Sequence, residues 1–375
     1  MKKFVLIPDS FKGTLSSEEI CKIMKEKILS HFSDASIVSI PVADGGEGSV
    51  DCFLSALGGK KVFAKCKGPY NEQITGFYGV LAGGDVAVVE MAAAAGLPMV
   101  ENRKNPALTT TYGVGELILD AASKGVKKII VGLGGSCTND FGCGAACACG
   151  AEFFDEKGNK FVPVGGTLKD VKKVNVDKLK QNLNGVEIVT MCDIDNLAYG
   201  QTGAARVFGA QKGADETMIE MLDAGVKSLC GTINDCLDID LSTLKGGGAA
   251  GAMGAGMVAF FGSKLQMGID TVLKTVNFED IISDADVIFT GEGKIDTQSL
   301  RGKVVIGVAR TAKKAGVPVI AVVGGAEGDM STAYEHGVSA VFSINRLPQD
   351  FSISRNFSKE NLAFTMDNLL RALKI

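Results

Sequence analysis

Short apolar runs alternate with helical periodicities along most of the chain, and this alternation predicts an α/β protein. Residues 4–8 are apolar and uninterrupted, as is typical of a buried strand. A capping box at residues 16–19 marks the start of the helix that follows. The helical pattern then places Ile20, Met24 and Ile28 on one face. The chain therefore opens with a β-α unit.

The pattern of apolar runs along the sequence changes near residue 60. Three short β-like runs, 61–67, 74–81 and 85–91, are separated by turns and predict an antiparallel meander. The α/β rhythm resumes after Gly246. We therefore predict a doubly wound, parallel-sheet domain formed by residues 1–60 and 246–375. A second, mixed α/β domain, residues 61–245, would interrupt it.

Composition narrows the possible functions. The chain has 375 residues and a net charge of −4, and no basic excess that would favour nucleic acid as a partner. Only two histidines occur, which nearly excludes a histidine-based triad or a multi-histidine zinc site. The 48 glycines, an unusually high number, predict loops and helix ends where backbone approaches another group closely.

The ten cysteines show no CxxC spacing, which favours reduced thiols and a cytoplasmic protein. Cys143, Cys147 and Cys149 lie in a small-residue stretch, where Cys generally acts as a small hydrophobe. The apolar run at the N-terminus is too short for a signal peptide, and no run is long enough to span a bilayer. We expect no membrane association.

Polar, glycine-rich or acidic loops follow the predicted strands. In open α/β sheets ligands bind beyond the carboxyl ends of the strands. A single loop of this kind is more often a turn or a helix cap, but several together favour a shared active cleft between the domains. The loops are residues 9–14, 43–48, 134–140, 193–196 and 291–296.

Two glycine-rich turns are candidate anion sites. The Gly134-Gly135-Ser136 turn combines successive backbone N–H groups with a hydroxyl, which suits a phosphate or a carboxylate. Gly247 lies in a second candidate, residues 246–251, which fits GxGxxG. No clean strand precedes that match, so the dinucleotide interpretation is weak. A Walker A sequence is absent.

Carboxylates beside a phosphate site usually hold Mg²⁺ or accept a hydroxyl proton. The acidic residues of the predicted loops are Asp44, Glu47, Asp193, Asp195, Glu292 and Asp296. Lysine or arginine near them would neutralise phosphate charge, although each could equally be a solvated surface charge. The cations nearest to these loops in sequence are Lys12, Arg206, Lys212, Lys294 and Arg301. The residues alone thus predict a Mg²⁺- and phosphate-handling enzyme.

The same loops resemble the type I glycerate kinase family. Matching segments run in family order over nearly the whole chain: 8–14, 43–48, 132–136, 138–140, 195–197, 208–214 and 291–296. Cys137 and Phe141 depart from the family pattern, where we expect Ala and Gly. The resemblance implies a flavodoxin-like domain interrupted by a second α/β domain. It also implies transfer of the γ-phosphoryl group of ATP to glycerate.

On that resemblance we predict ATP and Mg²⁺ as cofactors and D-glycerate as the substrate, with 2-phosphoglycerate as the favoured product. Asp193 is our first choice for the base, with Asp44 or Asp296 as the alternative. If the chain stays extended there, Asp195 projects to the same face as Asp193, so that one carboxylate would hold the hydroxyl and the other a metal-bound water. Lys12 and Lys212 would neutralise charge on the transferred group. The metal would be bound by Asp44, Glu47 or Glu292. Other predicted binding residues are Ser10, Gly134, Gly135, Ser136, Asn139, Gly247, Lys294 and Arg301.

Other functions stay open. One alternative is a kinase for another small hydroxy acid, and another is a non-catalytic sensor of sugar acids or nucleotides. A dehydrogenase would rest on the weak GxGxxG match alone. The sequence leaves the oligomeric state open, a homo-oligomer included, as well as which domain holds ATP.

Overall fold

The computed structural model describes residues 2–43, 45–296 and 303–374. Its strands, numbered along the chain, are β1 (Lys3–Pro8), β2 (Ser36–Ser39), β3 (Gly59–Lys67), β4 (Gln73–Leu81), β5 (Val86–Glu90), β6 (Lys128–Gly132), β7 (Glu152–Phe154), β8 (Lys160–Phe161), β9 (Lys173–Asn175), β10 (Glu187–Met191), β11 (Lys264–Gln266), β12 (Val287–Gly291), β13 (Lys294–Ile295), β14 (Val319–Val323), β15 (Gly325–Ala326) and β16 (Val338–Ser343).

The α-helices are α1 (Ser17–His31), α2 (Ser49–Leu57), α3 (Ala92–Ala95), α4 (Tyr112–Ser123), α5 (Cys143–Cys149), α6 (Asp177–Asn182), α7 (Ala204–Phe208), α8 (Glu216–Leu237), α9 (Ala249–Phe261), α10 (Gly268–Thr275), α11 (Phe278–Ile282), α12 (Val304–Ala315), α13 (Ser331–Glu335), α14 (Phe351–Ser354) and α15 (Ser358–Ala372). Short 3₁₀ turns occupy Leu97–Val100, Gly165–Asp170, Ala210–Lys212 and Arg355–Phe357. In the part of the chain described here, no helix has both the length and the apolar character needed to cross a membrane.

The chain divides into two compact units. The first unit comprises Met1–Asp44, Ser55–Leu57 and Met267–Ile375, and the second comprises Gly45–Leu54 and Gly58–Gln266. The predicted α/β class is confirmed, because both units combine parallel strands with helices.

A five-stranded parallel sheet forms the centre of the first unit, in the order β16-β14-β12-β1-β2. Counted along the chain, this is the order 2-1-3-4-5 typical of flavodoxin-like folds. Phe4 and Leu6 of β1 pack with α1 and α15 in one core cluster. Val5 and Ile7, which alternation directs to the opposite face, are also fully buried, so helices cover both faces of β1.

The predicted capping box is confirmed at the start of α1. The Ser16 hydroxyl accepts the Glu19 N–H at 3.2 Å, and the Glu19 carboxylate accepts the Ser16 N–H at 3.1 Å. Two of the N–H groups that a helix start leaves without an intrahelical partner are satisfied in this way.

The second unit contains a six-stranded mixed sheet in the order β11-β10-β6-β5-β4-β3. The predicted meander is confirmed, because β3 pairs antiparallel with β4 and β4 with β5. From β5 onward the pairs β5-β6, β6-β10 and β10-β11 are parallel. Cys143 and Cys149 lie in the core of this unit, and burial raises the pKa of both thiols, so they act as small hydrophobes.

Candidate active site

The carboxyl ends of β5, β6 and β10 lie side by side in the second unit. The register pairs Glu90 with Gly132, and Gly132 with Met191. The segments that follow these strands therefore emerge at one edge of the sheet, which is where α/β sheets bind ligands.

The glycines of two predicted loops permit direct contact between backbones. The Gly134 N–H donates to the Gly45 carbonyl at 2.9 Å. A Cβ atom on Gly134 would lie 2.4 Å from Gly46 Cα, and one on Gly132 would lie 2.6 Å from the Gly45 carbonyl oxygen. Close approach thus explains these glycines, and the Gly134 N–H is already committed to a protein acceptor.

Glu90 is a buried carboxylate that sequence reasoning missed. Its two oxygens accept the N–H groups of Val50 at 2.6 Å and Gly48 at 3.2 Å, at the start of α2. Burial raises its pKa, and these two hydrogen bonds oppose that rise. Glu90 therefore holds the loop on which Glu47, a predicted metal ligand, lies exposed. The only hint in the sequence is an acidic residue at the end of an apolar strand.

Gly135 adopts a left-handed conformation, with φ of +76°. Its carbonyl accepts the Leu97 N–H at 2.8 Å, and the nearest atom to an added Cβ would be Ala92 Cβ at 3.6 Å. Space is available there, so the conformation rather than a clash requires glycine.

We expect Gly135→Val to raise the apparent KM for ATP or glycerate at least about tenfold, because a β-branched residue disfavours this φ and would reshape the turn. Steady-state kinetics with each substrate varied in turn measures the effect. Gly185→Val is the matched control, since Gly185 has φ of +80° in open space before β10, at the other end of the sheet. Unchanged KM values for both substrates would contradict a binding role for the turn.

Lys212 is a buried lysine next to this turn. Its ammonium group donates to the Ser136 hydroxyl and to the Thr138 carbonyl, both at 2.7 Å, and only 3% of the residue is exposed. Burial lowers its pKa to about 8, while Cys137 and Asp140 act in the opposite direction. The predicted residues Ser136 and Lys212 are thus brought together from distant parts of the chain.

Asp140 organises the segment that follows. Its carboxylate accepts the Thr111 N–H at 2.7 Å and the Thr111 hydroxyl at 2.8 Å. It also accepts the N–H groups of Gly142 at 3.1 Å and Gly144 at 3.2 Å. One side chain thereby caps the starts of both α4 and α5. Burial raises its pKa, and these hydrogen bonds oppose the rise.

Phe141 stands where we expected Gly, and its backbone conformation gives a physical reason for that expectation. The residue is fully buried and has φ of +61°, a conformation that favours glycine. Phe141 holds that conformation because its side chain packs in the core against Phe260 and its N–H donates to the Gly251 carbonyl.

Asn139 is buried with neither polar atom of its side chain hydrogen-bonded within the described part of the chain. The Thr138 hydroxyl is also buried and has no hydrogen-bond partner within the described part of the chain. Buried amides and hydroxyls are nearly always paired, so these two side chains indicate a place where a ligand supplies the partners.

Asp193 and Asp195 lie two and four residues beyond the end of β10. Asp193 is half-buried and Asp195 is exposed. The segment is fixed on both sides, because the Cys192 N–H donates to the Gln266 carbonyl at 2.9 Å and the Asn196 carbonyl accepts the Gly248 N–H at 3.0 Å. The segment that carries both carboxylates therefore leaves the sheet at the same edge as the Gly134–Ser136 turn.

Gly247 packs at the start of α9. Its N–H donates to the Leu244 carbonyl at 3.1 Å. The neighbouring Gly248 permits close contact, since an added Cβ would lie 2.3 Å from the Leu197 carbonyl oxygen. The triple glycine therefore serves packing, and the predicted anion site there has fewer N–H groups to offer than the sequence suggested.

The first unit brings together the other predicted residues. β1 and β12 pair in parallel, and the Asp9 N–H donates to the Gly291 carbonyl at 2.8 Å. The loop that carries half-buried Ser10 and exposed Lys12 thus begins beside residues 292–296. A Cβ on Gly293 would lie 3.2 Å from the backbone nitrogen of Lys12, so the two loops are in contact.

The acidic loop after β12 has a buried start and an exposed middle. Glu292 is buried, Asp296 is half-buried, and Lys294 is exposed and forms an ion pair with Glu327. Asp44 and Arg301, also predicted at the site, lie outside the described residues.

Magnesium prefers oxygen ligands, and acidic side chains lie in several of these loops. No cluster of three or more His, Cys, Asp or Glu suited to a metal occurs within residues 2–43, 45–296 and 303–374. Mg²⁺ that arrives with a nucleotide needs only one or two carboxylates, because phosphates and water complete its shell. Glu47 and Glu292, both acidic residues in loops, have the donor chemistry for such a role.

Comparison with known proteins identifies the family. The sequence matches the glycerate kinase family over residues 4–374. It is 41% identical over 374 residues to a glycerate kinase of Bacillus cereus, covering 100% of this chain and 98% of that one. A glycerate 2-kinase of Escherichia coli K12 is 42% identical over 343 residues, 91% of this chain and 90% of the relative.

A solved structure agrees. The crystal structure of a protein assigned as glycerate kinase 2 from Salmonella typhimurium LT2 superimposes with a TM-score of 0.87 at 38% identity. The match covers 100% of this chain and 98% of that one. Sequence and fold together lead to one conclusion: this chain belongs to the glycerate kinase family.

Proposed function

We propose that this chain is a glycerate kinase that transfers the γ-phosphoryl group of ATP to a hydroxyl of D-glycerate. The observation that carries the proposal is the match to the family over residues 4–374, with glycine-rich and acidic loops at the ends of parallel strands in both units. Phosphoryl transfer needs aligned reactants, charge neutralisation and an acceptor for the hydroxyl proton, and these loops carry the side chains for each task.

The roles follow from placement. Asp193 would accept the hydroxyl proton, with Asp44 or Asp296 as the alternative, and Asp195 would help to hold the hydroxyl or a metal-bound water. Lys212 would neutralise anionic charge in the second unit, and Lys12 would do so in the first. Glu47 or Glu292, or Asp44, would hold Mg²⁺ through its water shell. The ion, when bound to ATP, would offset the charge of the phosphates.

The favoured product is 2-phosphoglycerate. The Escherichia coli relative is named a glycerate 2-kinase, and 42% identity over 343 residues supports the same regiochemistry here. The buried thiols of the second unit would stay reduced in the cytosol, which is the compartment we propose.

A coupled ADP-release assay with ATP, Mg²⁺ and D-glycerate tests the activity, and we expect turnover that requires all three. Phosphorus NMR of the product then distinguishes the 2-phosphate from the 3-phosphate. Two acceptors serve as matched comparisons. D-Lactate keeps the C2 configuration of D-glycerate and lacks its 3-hydroxyl group, and glycolate lacks one carbon together with its hydroxyl group. Faster turnover of another hydroxy acid would move the substrate assignment, and ligand binding without turnover of any acceptor would favour a sensor.

A further inference from the structure

We propose that Ser136, Thr138, Asn139 and Lys212 form the subsite for the hydroxy-acid substrate, and that the nucleotide phosphates bind elsewhere. The inference rests on the proposed function, which leaves open whether the Gly134–Ser136 turn serves ATP or glycerate. Three observations in the second unit decide between these ligands.

The first observation is an incompletely paired cation. An ammonium group has three N–H donors, and the hydrogen bonds of Lys212 to Ser136 and Thr138 use two of them. Both acceptors are neutral, and no carboxylate within the described residues forms an ion pair with Lys212. A buried cation with only neutral partners is costly, so an anionic ligand oxygen at the third N–H would stabilise it.

The second observation distinguishes a hydroxy acid from a phosphate. Asn139 presents an acceptor oxygen as well as a donor nitrogen, and both are buried and unpaired in the described part of the structure. Phosphate groups of ATP at neutral pH offer acceptors almost exclusively and would leave the Asn139 oxygen without a donor. Glycerate offers hydroxyl donors beside an anionic carboxylate, so it can satisfy Asn139, Thr138 and Lys212 together.

The third observation is burial. Ser136, Thr138, Asn139 and Lys212 are all less than one tenth exposed. Groups so enclosed are dehydrated, and dehydrated groups favour a small, singly charged acid over a triphosphate that binds with its metal and waters. We expect the carboxylate of the acid at Lys212 and a hydroxyl at Asn139.

A left-handed segment of α9 supports this subsite. Ala250, Gly251 and Ala252 have φ values of 54°, 68° and 66°. A Cβ on Gly251 would lie 2.0 Å from the Thr138 carbonyl oxygen, the atom that accepts from Lys212. Strain in two alanines persists only where the surroundings enforce it, and here the segment packs directly against the Thr138 backbone. Only glycine at position 251 permits this close approach.

Direct binding measurements test the proposal without relying on turnover. Calorimetry of the full chain would give separate Kd values for D-glycerate and for adenylyl-imidodiphosphate with Mg²⁺. We expect Lys212→Met and Asn139→Leu to raise the Kd for glycerate about 10- to 100-fold, as for other lost charged or buried hydrogen bonds. The nucleotide Kd should stay within about twofold. Lys227→Met is the matched control, because it removes an exposed lysine from α8 of the same unit.

Substrate analogues add a readout that a purely structural role would not move. Wild-type protein should bind glycerate more tightly than 3-hydroxypropionate or lactate, each of which lacks one hydroxyl. Asn139→Leu should reduce that preference for at least one of the two analogues. Equal losses for glycerate and both analogues would contradict hydroxyl recognition by Asn139.

The pH dependence of the wild-type protein needs no variant. Cys137 and Asp140 are the titratable groups that act on Lys212. The Lys212 pKa of about 8 means that the ammonium form is lost as pH rises above 8, so the Kd for glycerate should rise about tenfold per pH unit there. Below pH 7 the Kd should level off. A Kd that stays constant between pH 7 and 9.5 would contradict the role of Lys212.

Circular dichroism and thermal melts establish that each variant is folded, and Ser136→Ala replaces Lys212→Met if the latter unfolds. A raised nucleotide Kd with an unchanged glycerate Kd would overturn the subsite while leaving the kinase intact. Wild-type protein that neither binds nor phosphorylates glycerate would instead overturn the proposed function itself, and the subsite with it.

Discussion

Replacing Asp193 by Asn is expected to lower kcat by roughly 10²–10⁴ while leaving both KM values near normal. The side chain keeps its size and can still form hydrogen bonds, but it no longer accepts the proton of the attacking hydroxyl. Asp193 suits this task because it is half-buried two residues beyond β10, at the same edge of the sheet as the Gly134–Ser136 turn. Steady-state kinetics at saturating ATP and glycerate measures the change.

Asp195→Asn and Asp296→Asn are the informative comparisons. Asp195 is exposed, two residues beyond Asp193, and Asp296 lies in the first unit. Asp240→Asn is the control for removing one negative charge. Asp240 is an exposed carboxylate that accepts the Ser242 N–H at 2.8 Å. Full kcat in Asp193→Asn with loss in one of the other two would reassign the base. A uniform small loss in all three would indicate that none of them is the base.

Asp140→Ala should produce the largest effect on stability, lowering the free energy of unfolding by about 3–5 kcal/mol. The substitution leaves the N–H groups of Thr111, Gly142 and Gly144 buried without their acceptor. It also removes the cap that α4 and α5 share. Urea denaturation followed by circular dichroism measures the loss, and failure to express a folded chain would be its extreme form.

Asp215→Ala provides the matched control. Asp215 caps α8 by accepting a single N–H, that of Met218 at 2.8 Å, in an exposed position. Its loss should lower the free energy of unfolding by only about 1 kcal/mol. Similar losses in the two variants would show that burial and multiple donors give Asp140 no special role.

Local features of this protein could be predicted from the sequence because the determining atoms are neighbours along the chain. The capping box of α1 lies within residues 16–19, and its two hydrogen bonds form as expected. The β3–β4–β5 meander follows from short apolar runs with turns between them. The loops at the strand ends could also be recognised in the sequence, and their motifs indicated the family.

Glu90 and Asp140 could not be assigned in this way. Glu90 accepts from a residue 40 positions away, and Asp140 from one 29 positions away. In sequence each is one acidic residue among 43. Their burial, and therefore their raised pKa values, exist only once the strands have assembled.

The same distinction between local sequence pattern and long-range packing applies to two of the glycines. Gly134 and Gly247 both suggested anion binding in the sequence, yet the folded chain directs the N–H of one to Gly45 and that of the other to Leu244. The sequence by itself determined which residue types stand at the strand ends, because strands and turns depend on local pattern. Only the tertiary structure decided which of their polar groups remain available to a ligand, because long-range packing assigns the hydrogen-bond partners.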